Sequence, residues 1–396
     1  MKTKIRLSQL LVIGCFFGFF LFCLVWGLAQ PDRPSSAAEN RSLAQRPAMR
    51  RVVTDFGGFA RDFESYAADQ FPDREQLIGV YTALELAQGK KFARKAYCLQ
   101  GGWLLTKPTP TKPVDLSALQ QALTQAGVLD RPLVWCVLPL KNEALYDLEP
   151  AYFSDETGET NKQALTAALA QAEGLTVIDA EAPLVTGTLA DREQYFYKTD
   201  FHWNARGAFA AAQEIARQLA GAGTIAETSV PQAEDFLWSE LGGERRYQGD
   251  LNVWFSNQFS MQEDIPRYVP KNAADLRYFL HPGDIESVPR ETIVGSGLDK
   301  DPVTYNDVFT YNLGYYRVEN PDAPEAASVL ILKDSFQNAT IDYLSAIFRS
   351  VTVVDPRSYQ ETPDLASLLD ADGIDLVLFF YHQNNVSREL IDFLSA

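Results

Sequence analysis

The chain holds three histidines, His202, His281 and His382. One of them, His202, lies two residues after Asp200 in YKTDFHWNARGAFAA, residues 197–211. An imidazole with a carboxylate two residues away on irregular backbone has the parts of a general base and of the group that holds its tautomer. Such a pair needs a nucleophile. Ser335 offers one in SVLILKDSFQNATIDYLSAIF, residues 328–348, where an apolar, β-branched run gives way to a helix-like one. Free N–H groups in a first helical turn, with the positive end of the helix dipole, favour a developing oxyanion there. Each residue also has a plainer reading. An Asp-x-His pair is common at caps and on surfaces, and a serine at a helix start is a common N-cap. His281, ahead of Pro282-Gly283, reads as a solvated turn residue, and His382, closing DLVLFFYH, as a second candidate for base or ligand.

The surrounding elements must bring these residues together. Asn204 is a good N-cap, and the alanine-rich run 205–220 reads as a helix beginning just after the Asp200–His202 segment. Beyond Lys95 the short runs AYCLQ, GWLLT, LVWCVLPL, LTVIDA, SVLILK, VTVVD and DLVLFFYH have strand character. Helical stretches near 116–126, 161–172, 205–220 and 338–347 separate several of them. Alternation of this kind predicts an α/β fold, a parallel sheet with helices on both faces. Ligands of such sheets sit beyond the carboxyl ends of the strands, where Ser335, Lys141 and His382 all fall. Residues 221–327 read as an irregular insertion that shapes a binding surface.

Bulk composition narrows the function classes. With 46% hydrophobic and 12% aromatic residues over 396 positions the chain folds around a sizeable core. A formal net charge of −17 repels a phosphate backbone and excludes nucleic acid as a partner. Lys2, Lys4 and Arg6 precede an uncharged run, residues 10–29. Roughly 20 apolar residues at ~1.5 Å each cross a ~30 Å hydrocarbon core. The basic flank places the N-terminus in the cytoplasm and everything after residue 30 outside it; the competing reading is cleavage after Gly27-Leu28-Ala29. Cys15 and Cys23 lie within the run, and Cys98 and Cys136 either pair or are simply buried thiols. The expected organisation is a cytoplasmic tip and signal-anchor (1–30), a tether and N-terminal helices (31–95), and a catalytic domain (96–396). Pro72 breaks the helical pattern of 56–91 into two helices, with Asp69 and Arg74 as a pair fixing them.

The stretch YFYKTDFHWNARGAFAAAQEIARQL resembles the signature of the DHHW family, related to the alginate O-acetylation proteins of the AlgJ and AlgX type with their SGNH-hydrolase-like domains. ENRSLAQRP, FESYAADQFPDREQLI, GGWLL, VLPLKNEALY, GDL (249–251), YNLGYYR, LILKDSFQNA and VTVVDPRSY match further blocks in order. The resemblance implies a Ser335–His202–Asp200 triad that transfers an acyl group, acetyl in this family, to an exported or cell-surface polysaccharide. It implies a membrane-bound O-acyltransferase as the partner supplying the acyl group, and calls for no cofactor and no metal. Two positions depart from the pattern: Phe201 stands where the family name has His, and Lys333 replaces the glycine of a Gly-Asp-Ser block. The oxyanion asparagine stays open among Asn312, Asn338 and Asn384. Trp203 is a packing wedge or a sugar platform. Tyr315, Tyr316 and Arg317 either clamp a sugar carboxylate or are buried aromatics with an ion pair, and Lys141 faces the cleft or solvent. An esterase that removes the same groups, and an inactive glycan-binding scaffold, are the rival readings.

Overall fold

The computed structural model describes residues 7–36, 39, 41–106, 115–149, 157–241, 245–360, 365–382 and 388–395. The chain divides into two compact units, residues 1–91 with 252–259, and residues 92–251 with 260–396.

In the first unit, helix α1 (Leu7–Ala29) contains the one stretch among the described residues long and apolar enough to cross a membrane, Ser8–Gly27. Helices α2 (Phe56–Asp69) and α3 (Arg74–Ala87) follow, broken around Pro72 as the pattern predicts. Asp55 caps α2 by accepting the Gly58 N–H at 2.9 Å. The expected Asp69–Arg74 pair does not form. Asp69 takes Arg41 at 2.6 Å and the Ala44 N–H at 2.8 Å, while Arg74 pairs with Glu39. Two residues five apart across a break share no helix face, so each is claimed by the segment 39–44 instead.

The second unit is built on a seven-stranded sheet whose middle was legible as apolar runs. Strands β1 (Ala96–Cys98) and β2 (Leu104–Thr106) lie outside it, in a small antiparallel sheet with Phe92–Ala93. The large sheet contains β3 (Leu133–Leu138), β4 (Leu175–Asp179), β7 (Arg277–Phe279), β8 (Tyr315–Glu319), β9 (Glu325–Lys333), β10 (Phe348–Val354) and β11 (Leu376–His382); β5 (Phe236–Glu240) and β6 (Pro266–Pro270) form a separate antiparallel pair. The strand order is β7-β8-β10-β9-β11-β3-β4. From β10 to β4 the neighbours are parallel, and β7 and β8 add an antiparallel edge. The sheet is therefore mixed, not purely parallel, and the supposedly irregular 221–327 insertion supplies part of it. YYRVE is too short and too polar to stand out as a buried strand; only β10 beside it makes it one.

Alternation along the strands feeds two cores. Val134, Cys136, Leu138, Ile331, Leu378 and Phe380 face helix α6 (Ala205–Gly221) through Ala205, Ala208, Ala212 and Ile215. Leu133, Trp135, Leu332, Phe379 and Tyr381 face the other way, onto Leu119 and Leu123 of α4 (Leu116–Gln125) and Leu165 and Leu169 of α5 (Thr157–Leu169). Trp135 and Phe379, cross-strand partners, stack with ring centroids 5.0 Å apart. Helices thus cover both faces, as expected. The helix expected near 338–347 is replaced by a 3-10 turn, Ser335–Ala339, and a five-residue helix, Ile341–Ser345. Cys98 and Cys136 are free thiols, Cys136 fully buried.

Candidate active site

The carboxyl ends of β9, β11 and β3 lie side by side, with Lys333 opposite Phe380 and His382 opposite Leu138. Ser335 follows β9 by two residues. The cap of its turn is Asp334, whose Oδ1 accepts the Phe336 N–H at 2.9 Å while Oδ2 accepts the His382 N–H at 2.9 Å. Capping is therefore done by the aspartate, and the Ser335 hydroxyl stays available at a partly exposed position.

Facing it is the segment before α6. Asn204 caps that helix as predicted, accepting the Arg206 N–H at 2.9 Å and the Gly207 N–H at 3.3 Å. Gly207 has to be glycine, because a Cβ there would lie 2.5 Å from the Tyr195 carbonyl oxygen. With the helix starting so late, Asp200 and His202 sit on non-helical backbone and fold toward each other. His202 Nδ1 lies 2.7 Å from Asp200 Oδ1, and its Nε2 lies 2.9 Å from Ser335 Oγ. Those distances suit an Nδ1–H held by the carboxylate and an Nε2 lone pair that receives the serine proton. His202 is 3% exposed and stacks on Tyr305 at 3.9 Å, with Phe201 at 4.0 Å and Phe336 at 5.0 Å between ring centroids.

Asp200 is fully buried, and both its oxygens are taken. Oδ1 also accepts the His202 N–H at 3.0 Å, and Oδ2 accepts the Tyr247 hydroxyl at 3.1 Å and the Asp250 N–H at 3.0 Å. Burial works against its charge, but His202 and these donors outweigh burial and hold the carboxyl below its ordinary range. Asp250, pushed up to about 6 by burial and by Asp200, completes a cluster with Asp200 and His202 whose ligand atoms lie within 4.8 Å of one another. With four donors already on the Asp200 carboxylate, this cluster is a hydrogen-bond network.

Of the remaining sequence candidates, Trp203, Lys141 and Asn338 are structural supports. Trp203 is fully buried and donates from Nε1 to the Phe336 carbonyl at 3.0 Å, tying the Asp200–His202 segment to the Ser335 turn; it is a wedge, not a sugar platform. Lys141 points inward, not to solvent, and its Nζ donates to three backbone carbonyls. Asn338 is buried, its amide donating to Thr310 O at 3.0 Å and Asn312 Oδ1 at 3.1 Å, so it offers no oxyanion donor as packed. Asn312 is exposed, with Oδ1 fixed by Asn338 and by Lys333 at 3.3 Å, which orients its amide. Asn384 lies outside the described residues. Tyr316 is fully buried, donating to Gln337 Oε1 at 3.3 Å, and Arg317 pairs with Asp372 at 3.3 Å over the Phe279 ring at 4.5 Å. A strand in the sheet interior leaves neither side chain free to clamp a sugar. His382 is held neutral-leaning by burial, and His281 lies exposed in its turn.

Tyr247, Tyr305 and Glu263 escaped a sequence reading, and Lys333 was noted only as a departure from a Gly-Asp-Ser block. Lys333, fully buried, is pushed down to about 8 by burial despite Asp355 at 3.5 Å. The GDL block did carry a signal. Gly249 abuts Thr199, where a Cβ would meet the carbonyl oxygen at 2.2 Å, and Leu251 N–H donates to that oxygen at 3.1 Å. The close approach is what delivers the Asp250 N–H to Asp200.

The fold is SGNH-hydrolase-like, with Ser335 at a strand end and His202 beside it. Residues 107–275 match the family model of the SGNH hydrolase-like domain of acetyltransferase AlgX, a stretch that includes Asp200 and His202 and stops before Ser335. Bacillus cereus PatB1, in a structure carrying a sulfonyl adduct, superposes with a TM-score of 0.62 at 21% identity, over 74% of this chain and 95% of that one. A DHHW family protein from Eubacterium siraeum gives 0.58 at 17% identity, over 76% and 93%. At such identities the likeness is one of fold, in line with the DHHW and AlgX-type resemblance read from the sequence. No curated protein sequence gives a significant match.

Proposed function

We propose that this chain is a membrane-anchored, extracytoplasmic O-acyltransferase that moves an acetyl group onto a cell-surface or exported polysaccharide. The reading rests on one observation, the continuous Asp200–His202–Ser335 contact with only the serine partly open to solvent. Ser335 Oγ attacks the donor's carbonyl carbon as His202 Nε2 takes its proton. Collapse of the tetrahedral adduct breaks the bond to the leaving group, which departs with that proton and leaves acetyl-Ser335. A sugar hydroxyl then gives its proton to His202 and bonds to the acyl carbon, and as the adduct collapses His202 returns that proton to the departing Ser335 Oγ. Asp200 holds the imidazole proton on Nδ1 throughout, and Asn312, exposed and with its Oδ1 tied by Asn338 and Lys333, is the asparagine left to serve the oxyanion. Helix α1 is the anchor, and a membrane-bound O-acyltransferase supplies the acetyl group from across the bilayer.

The test is intact-mass and peptide mass spectrometry of the full-length protein in detergent after exposure to p-nitrophenyl acetate. An added acetyl on Ser335 that is passed to an oligosaccharide supports the reading. An unmodified Ser335 refutes it, and acetyl lost only to water makes the protein an esterase.

A further inference from the structure

The peptide 198–200 lies in none of the strands or helices, yet it must aim a buried carboxylate at His202. Two ionisable side chains from elsewhere in the chain grip it from either side. Lys141, just past β3, reaches in with Nζ 2.8 Å from Leu104 O, 2.9 Å from Lys198 O and 2.7 Å from Asp200 O. Glu263, from the insertion, accepts the Lys198 N–H, the Thr199 N–H at 3.0 Å and the Thr199 hydroxyl. Consecutive N–H groups are thus captured by an anion and carbonyls of the same peptide by a cation. We propose that Lys141 and Glu263 form a clamp that fixes residues 198–200 and so sets the position of Asp200 against His202, with Lys141 acting in its ammonium form.

Geometry dictates the protonation state. Three carbonyl acceptors around one nitrogen match the three N–H donors of an ammonium; a neutral amine has two, and turns a lone pair onto the third oxygen. A buried carbonyl so abandoned costs about 1–3 kcal/mol, enough to release the peptide. Lys141 is only 3% exposed, and burial pushes it down to about 7, against the pull of Glu263 and Asp200. The groups that face it are the Glu263 and Asp200 carboxylates, the Trp103 ring 5.1 Å from Nζ, and Lys198, whose own Nζ lies 5.8 Å from the same ring. The clamp is therefore complete just below neutrality, where Glu263, raised by burial, is still ionised, and opens as the pH rises past about 7. Lys141 and Glu263 are positioning residues, since they act on the chemistry only through Asp200.

The inference rests on the acyltransferase reading for its kinetic readout and carries a second readout that does not. With p-nitrophenyl acetate, kcat/KM of the wild-type protein falls with rising pH around 7, through loss of the Lys141 proton. Lys141→Met, uncharged at every pH, lowers kcat/KM by ~10²-fold, the scale of an ångström-sized misplacement, and abolishes that limb. Lys141→Arg, charged throughout, also loses the limb while keeping more activity. Glu263→Gln moves the limb to lower pH, because it removes the carboxylate that favours the ammonium. The independent readout is the proton NMR signal of the His202 Nδ1–H bound to Asp200, which broadens with the same pH midpoint and is already broad in Lys141→Met. If the wild type forms no acetyl-Ser335, the parent reading fails and the NMR titration decides the clamp alone. An active enzyme whose alkaline limb is absent, or unmoved by Glu263→Gln, overturns the clamp and leaves the parent reading standing. Should Lys141→Met fail to fold by circular dichroism, Glu263→Gln and Lys141→Arg decide the matter by the same two criteria.

Discussion

The two halves of the candidate triad are held in different ways. Ser335 extends from a central strand flanked on both sides by parallel neighbours, and its turn is fixed by one aspartate bound to the adjoining strand. Asp200 and His202 sit on coil, held by side chains and backbone from distant segments: Lys141, Tyr247, Asp250, Glu263 and Tyr305. Ser335 inherits its position from the ladder of the sheet. Asp200 and His202 inherit theirs from an assembly of partners, each supplying one or a few contacts. Damage to the first half should therefore read as lost chemistry at unchanged stability, and damage to the second as loss of both.

The largest expected effect isolates the chemistry. Ser335→Ala should remove the covalent intermediate and lower acetyl transfer by ~10³-fold or more, with a thermal midpoint within a degree or two of the wild type. Retained transfer in this variant would mean that the sheet-borne half is not the nucleophile. Asp200→Asn comes next, at ~10²–10⁴-fold, since an amide stabilises the wrong tautomer. It should also flatten the acid limb of stability. A carboxyl held below its ordinary 3.8 stabilises fully above that pH and loses the contribution as pH falls through the lower folded value. Urea titrations at pH 5 and pH 3 measure this; equal acid sensitivity of variant and wild type counts against a charged, satisfied Asp200.

Smaller effects probe the coil-borne half. Gly249→Val forces a Cβ to within 2.2 Å of the Thr199 oxygen, so the two segments must part, at about 1–3 kcal/mol and with activity falling alongside. Full activity in a destabilised variant would detach the GDL turn from the site. Asn204→Ala should be the mildest, about 1 kcal/mol for the lost cap, read by chemical denaturation. If its activity loss exceeds its stability loss, the cap is positioning His202 and not merely starting a helix.

The same contrast explains what the sequence disclosed. β3, β11 and the later part of β9 are apolar because they are buried on both faces, and that need is written in every residue of LVWCVL or VLIL. Asp200, His202 and Ser335 were legible because a cap, a strand end and a family signature each marked one of them. Lys141 was not. A lysine buried among carbonyls has no local signature, and only the folded arrangement of residues 104, 198 and 200 gives its charge a purpose. The β7–β8 edge was hidden for a related reason, since Arg277 and Glu319 are polar residues made strand by pairing with each other. Tyr316 and Arg317 looked like ligand binders because aromatic-plus-arginine composition is the same in a sugar clamp and in a strand paired on both sides.

Tyr305 lies face to face with the His202 ring at an interplanar angle of 5°. Its neighbours Phe201 and Phe336 crowd the same imidazole, and its hydroxyl is tied at 3.2 Å to the Phe336 carbonyl. A ring so boxed in has no second rotamer to visit. In the proposed reaction it must collect the proton and return it along a single line, toward Ser335. Donor and acceptor then have to use the same doorway in turn, and each will compete with the other for it: excess acyl donor should slow transfer by occupying the place where the sugar hydroxyl must stand.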